Sequence, residues 1–277
     1  MQTPLLAYST LAFPNERLED VAELGRKTGY GGIELRLIDG ELIPPDLGAD
    51  AIARVRRAIA GLELVALDTS IRLAEDDAAA QIAAYLRLAH DLGAPVIRVF
   101  GGALGTDAAE RAARLRHGAD VLGEIADEAR ALGIVVAVET HDDFSASADL
   151  GALLALIEHP AIGAVWDSHH PWRMGEDPAT VFANIGARVT LAQVKDARRD
   201  ESEKSGWKLV LLGEGEVPVR GMLEELAHGG YGGPISVEWE KHWHREIEDA
   251  SVAMPQHYEL LTRWIAEIPG WGQGAAH

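Results

Sequence analysis

Four polar side chains break apolar runs in the second half of this sequence, each where chemistry could begin. The run VAVETHDDF breaks at Glu139, followed by His141, Asp142 and Asp143. AVWDSHHPW ends in Asp167, with His169 and His170 behind it. TLAQVKD sets Gln193 among apolar residues, two ahead of Lys195, and ISVEWEK presents Glu238 and Glu240. Residues two apart in an extended chain share a face. Ala137 therefore points with Glu139, and Glu240 with Glu238, while Val136, Val138 and Trp239 face the other way. Glu139, Asp167, Gln193 and Glu238 offer three carboxylates and one amide oxygen, a hard ligand set suited to one divalent ion, Mn²⁺ or Mg²⁺. A lone acidic residue at a strand end is usually solvated or caps a helix. Several gathered together without a cation would repel one another or bind protons.

For these residues to meet, their strands must be neighbours with a common end. Short runs rich in Val, Ile and Leu recur along the chain, each followed by an amphipathic, Ala-rich stretch, the signature of βα units and a parallel sheet. Strands are expected at Leu5–Ser9, Gly32–Arg36, Leu64–Thr69, Val96–Phe100, Val135–Glu139, Ala164–Asp167, Thr190–Val194 and Ile235–Glu238. Helices are expected over 15–28, 48–60, 75–92, 107–132, 146–158, 178–186, 219–228 and 245–267. Gly29, Gly93 and Gly133 fall just past helical stretches, where a left-handed cap suits glycine, and Gly61 stands before the third strand. No linker interrupts the repeat, and the first strand lacks the glycine-rich phosphate loop of an open doubly wound sheet. The reading is α/β: a single (β/α)₈ TIM barrel over 1–269, with a flexible tail over 270–277. In such barrels catalytic groups sit at the C-terminal strand ends, where all four polar residues fall.

Composition narrows the function. The 277 residues are 47% hydrophobic, enough for a sizeable core, and contain no cysteine, which excludes disulfides, thiolate metal sites and thiol nucleophiles. No run approaches the roughly 18 apolar residues of a membrane span, and the N-terminus has no signal-peptide pattern. A cytoplasmic protein with no membrane partner is expected. The formal net charge of −19 repels phosphate backbones, so no nucleic-acid partner is expected.

At these residues the sequence resembles the xylose-isomerase-like barrel superfamily, the sugar phosphate isomerase/epimerase group. The resemblance runs over nearly the whole chain, from GYGGIELR through VIRVFGG to GEGEVPVRGMLEELAHGGYGGPISVEWEK. It implies one metal on Glu, Asp, His and Glu: Glu139, Asp167 and Glu238 match, and Gln193 takes the usual His place. A neutral ligand is kept, but oxygen for nitrogen hardens the site and weakens its preference for Zn²⁺. His170 falls where many members carry a substrate-contacting His, and Arg199, or equally Arg198, near an Arg that contacts substrate in ketose epimerases. Lys195 and Trp172 complete the expected substrate-binding set.

The resemblance implies an enzyme that abstracts a proton next to a carbonyl of a small sugar-like or polyol-derived substrate. As an isomerase/epimerase, Glu139 and Glu238 would form a facing acid/base pair. As a lyase or dehydratase (3-dehydroshikimate-, inosose- or C-glycoside-directed), His141 becomes the candidate base. Gln193 and the ETH triplet look more like the dehydratases, but epimerisation is the commoner activity of the group, so an isomerase/epimerase is the first expectation and a lyase or dehydratase the alternative. The loop LLGEGEV carries Glu214 and Glu216, which would repel phosphate, so a non-phosphorylated substrate is expected. A non-catalytic partner subunit and a homo-oligomer remain open; the related DNA-repair endonucleases would need a basic surface and further ligands.

Overall fold

The computed structural model describes residues 3–271. Eight parallel strands form one sheet: β1 (Leu6–Tyr8), β2 (Gly32–Leu35), β3 (Glu63–Arg72), β4 (Val96–Phe100), β5 (Val135–Glu139), β6 (Ile162–Asp167), β7 (Val189–Val194) and β8 (Ile235–Val237). Neighbours in sequence pair from β2 through β3 and on to β8, β8 pairs with β1, and a parallel bridge between Ser9 and Glu34 closes β1 onto β2. A closed sheet has no free edge to shield. Around it run α1 (Leu18–Thr28), α2 (Ala49–Ala58), α3 (Ala78–Leu92), α4 (Ala108–Ala131), α5 (Ser147–Ala155), α6 (Pro178–Ile185), α7 (Val219–His228) and α8 (Ala250–Glu267). The expected barrel is present, with each element within a few residues of its expected bounds.

Local chemistry accounts for the boundaries. The Asp107 side chain accepts from the amides of Ala109 and Glu110 and starts α4. Asp177 does the same for α6 ahead of Pro178, whose missing N–H costs nothing at a first helical position. Gly93 ends α3 in the left-handed region at φ 84°, so LGAPVIRV turns directly into β4.

Two apolar layers hold the barrel. Ala7, Val65, Val96, Ala137, Val165 and Leu191 pack inside it, so the inward positions below the mouth are filled. The larger layer lies between strands and helices and includes Trp166 and Trp239. Trp239 is wholly buried, and its indole N–H reaches the Glu248 carbonyl at 2.8 Å; emptying such a site costs about 3–5 kcal/mol.

Three features at the mouth were not expected. β3 runs on to Arg72, pairing it with Phe100. A short helix over His169–Arg173 follows β6, and a hairpin pairs Asp196–Arg199 with Trp207–Val210 after β7. All are short or irregular, so periodicity carries no sign of them. At the other end, the tail expected from residue 270 begins with Trp271 buried, its indole donating to the Tyr231 carbonyl at 3.2 Å. The rest of that expected tail, 272–277, lies outside the described residues.

Candidate metal centre and active site

Glu139 ends β5 and Asp167 ends β6, while Gln193 stands in β7 directly beside Asp167 in register. Glu238 follows β8. The alternation that sends Ala137, Val165 and Leu191 into the barrel sends these side chains inward too, and all are buried at 4% exposure or less. Ligand atoms of Glu139, Asp167 and Glu238 lie within 4.8 Å of one another. Gln193 joins them, its Nε2 lying 3.4 Å from Glu238 Oε1.

These residues fit a divalent ion. Gln193 Oε1 is buried with no hydrogen-bond donor, and Glu139 Oε2 and Asp167 Oδ2 are buried oxygens that face only the cations Arg98 and Lys195. Carboxylates of Glu34, Asp68, Glu139, Asp167, Glu238 and Glu240 outnumber the facing cations Arg36, Arg98 and Lys195. Burial pushes the Glu139 carboxyl up to about 8, against the pull of Arg98. A cation placed here would return it to its charged form.

Protein cations already brace the ligands. Arg98 projects inward from β4, its Nε 3.0 Å from Glu139 Oε2 and its Nη2 3.4 Å from Asp68 Oδ2. Lys195 Nζ lies 3.0 Å from Asp167 and 2.5 Å from Glu238, and also bonds Glu240. Burial disfavours the charged amine, but these carboxylates more than offset it and raise its pKa. Asp167 is further fixed through Oδ1, which accepts the amides of His169 and His170 at 2.8 and 2.9 Å.

Beside the carboxylates stands a row of rings. His141 packs on Phe100 with centroids 4.3 Å apart and meets His170 edge-on at 4.6 Å; His170 stacks on His169, and His169 meets Trp207. His141 Nδ1 lies 2.9 Å from Asp142 Oδ1, and Asp142 Oδ2 is 3.2 Å from Arg72 Nε. Burial works against protonating His141, but Asp142 and then Glu139 prevail and raise its pKa. For His170, burial and then the Lys195 charge keep the imidazole neutral, and both its ring nitrogens are unpartnered.

Glu139, His141, Asp167, His170, Gln193, Lys195 and Glu238 are thus gathered at one mouth. Arg198 and Arg199 lie out on the hairpin and are exposed, with the Arg199 guanidinium 4.7 Å from the Trp207 ring. Trp172 is not among the gathered residues. It lies with Trp166, Pro178 and Met222 on the helical side of β6, because the short helix turns it away from the mouth. Sequence reasoning missed Glu34, Arg36, Asp68 and Arg98. Their signal was present: IELR places Glu34 and Arg36 on one face, and VIRVF sets a charge inside an apolar strand.

The loop LLGEGEV folds around a side chain of its own chain. Asp196 accepts from the amides of Gly213, Gly215, Val217 and Ala197 at 2.8–3.1 Å. A Cβ on Gly215 would stand 2.1 Å from Asp196 Oδ1, so the loop requires glycine there. Its amides are committed to a carboxylate. A cavity of about 740 Å³ at the opposite end of the barrel is lined by Leu5, Val65, Val96, Tyr258 and Trp271, among others, and gathers no comparable set of ligands.

The chain is thus a closed (β/α)₈ barrel whose mouth is rich in buried carboxylates and fits a cation. More particularly, the chain belongs to the xylose isomerase-like TIM barrel family, whose model matches residues 22–264. It is 26% identical over 164 residues to an inosose dehydratase of Lacticaseibacillus casei, covering 54% of this chain and 52% of that one. Over 89 residues it is 32% identical to a 3-dehydroshikimate dehydratase of Pseudomonas putida, covering 31% of this chain and 14% of that one. The matches therefore span about half or less of the curated relatives' length. Among solved structures, the IOLI protein with a bound zinc atom superposes with a TM-score of 0.79 at 17% identity, covering 95% and 98% of the two chains. An L-ribulose 3-epimerase superposes at 0.73 and 15% identity, covering 96% and 95%. The curated relatives named here are thus dehydratases, and the structures that share the fold include an epimerase and a zinc-bound protein. Among the described residues no helix is long and apolar enough to cross a membrane.

Proposed function

We propose that this protein is a divalent-metal-dependent dehydratase acting on a small, non-phosphorylated cyclic polyol ketone or keto acid. The observation that carries this reading is the His141–Asp142 pair. With Nδ1 turned to a carboxylate at 2.9 Å, His141 keeps Nε2 for the substrate, the arrangement of an oriented general base. Glu139, Asp167, Gln193 and Glu238 would hold the ion. Bound there, it supplies Lewis-acid polarisation of the substrate carbonyl.

The chain's own groups then do the proton work. His141 Nε2 removes a proton from the carbon next to the carbonyl, and the C–H electrons become the new C=C bond as the β C–O bond breaks. The departing hydroxyl takes the proton back from His141 and leaves as water, so the imidazole ends neutral. Asp142 stabilises the imidazolium between these steps, and the neutral His170 is placed to hydrogen-bond a substrate hydroxyl. Arg36, buried at the rim and bonded to Ser70 at 2.8 Å, is placed to orient an oxygen of the substrate. Arg198 and Arg199 remain proposed substrate contacts, and Lys195 is proposed to serve substrate binding indirectly, through its hold on Glu238 and Glu240. Asp196 occupies the amides that a phosphate would need, which supports a non-phosphorylated substrate. The two curated relatives named as dehydratases support the reaction class.

The isomerase/epimerase reading stands second, favoured by the grouping of Glu139 with Glu238. It is weakened because Arg98 and Lys195 hold both carboxylates in place. Manganese or magnesium is the proposed ion, and the cytoplasm the proposed location. The deciding experiment offers the Mn²⁺-loaded protein 3-dehydroshikimate, inososes and ketoses in turn. Dehydration next to a carbonyl gives a conjugated product with ultraviolet absorbance. Epimerisation of a ketose without any such product would overturn the dehydratase reading in favour of the second. No turnover with full metal loading would favour a non-catalytic subunit.

A further inference from the structure

Gln193 is an unusual kind of ligand because its amide has two different ends. Only the oxygen can bind a cation; turned over, the same side chain would present an NH₂ group and repel it. Something must therefore fix which way the amide faces. Gln193 Nε2 lies 2.8 Å from Oε1 of Glu34, a residue 159 positions away on β2, while Gln193 Oε1 is buried with no donor. Glu34 is wholly buried and bridges in register to Ser9 at the closure of the barrel, so its side chain reaches across from the far wall.

We propose that Glu34 is a positioning residue that locks the Gln193 amide with its oxygen towards Glu139, Asp167 and Glu238. This rests on the metal-site reading above. The direction of the bond carries the argument. Glu34 Oε1 accepts from Gln193 Nε2, so it selects the NH₂ end and leaves the oxygen for the ion. Glu238 Oε1, 3.4 Å from the same Nε2, is a longer and weaker partner and would itself be drawn to the ion. A glutamine at 34 keeps an oxygen in the place of Oε1 and can replace it as an acceptor. Partners that orient a metal ligand are worth about 10- to 100-fold in affinity.

The test is Mn²⁺ affinity, read from the free-ion electron paramagnetic resonance signal, with folding checked by circular dichroism. Glu139→Ala is the control: if it leaves Mn²⁺ binding unchanged, the metal-site reading itself fails. Given that it weakens binding, Glu34→Leu and the shorter, still polar Glu34→Ser should each lose about 10- to 100-fold, whereas Glu34→Gln should stay within about threefold of wild type. Combining Glu34→Leu with Gln193→Glu should recover most of the loss, because a carboxylate presents oxygen in either orientation. Unchanged affinity in the Leu and Ser variants would overturn the proposal. So would a Glu34→Gln variant as weak as those two, or a double variant no better than Glu34→Leu alone.

Discussion

Arg98 Nε and Glu139 Oε2 stand 3.0 Å apart, on adjacent strands, with 2% and 1% of their side chains exposed. A cation supplied by β4 thus holds a carboxylate that the proposed metal site also needs. Removing one member of such a pair leaves the other buried and uncompensated, a loss of about 3–5 kcal/mol. Arg98→Met should lower the metal-free protein's stability by that order in urea titrations. A loss below about 1 kcal/mol would mean that Glu139 finds another partner.

Metal content tests the ligand set. Glu139→Ala and Asp167→Ala should strip the ion and abolish turnover, with the barrel still folded by circular dichroism. Wild-type metal content in either variant would remove that residue from the set.

Gln193→His trades an oxygen for a nitrogen at constant charge. It should keep a metal but shift selectivity from Mn²⁺ towards Zn²⁺ or Co²⁺. Competition titrations read this directly, and an unchanged ratio would place Gln193 outside direct contact with the ion.

His141→Ala separates the two reaction readings. For the dehydratase it should lower kcat by about a hundredfold or more while Mn²⁺ still binds. Intact turnover, with solvent deuterium still entering the substrate carbon, would assign the proton transfers to Glu139 and Glu238 instead.

His257 links stability to pH. It lies fully buried in α8 against the Trp239 ring, with Nδ1 2.7 Å from the Ala253 carbonyl, and burial lowers its pKa to about 4. The unfolded chain binds this proton near pH 6.5, before the folded one does, so stability falls as pH drops from about 6.5 to about 4. The full effect is about 3 kcal/mol. His257→Phe should flatten that part of the urea-stability profile; an equal slope in both proteins would show that other groups carry it.

The sequence by itself determined the barrel, because its signal is periodic and local: apolar runs, amphipathic helices and glycine stops repeat on a scale that short-range patterns record. It also determined Glu139, Asp167, Gln193 and Glu238 as a candidate set, since each is a polar residue ending or interrupting an apolar strand. Only the tertiary structure decided what surrounds them. Glu34 and Gln193 are 159 positions apart, and they meet because closure of β1 onto β2 brings the far wall within reach across the barrel. Arg98 had no visible partner until β4 paired with β5, and Trp172 had no visible orientation until the short helix after β6 turned it outward. A strand's inward face can be read from alternation. Which inward groups then touch depends on register and curvature, which are fixed by packing between residues remote in sequence.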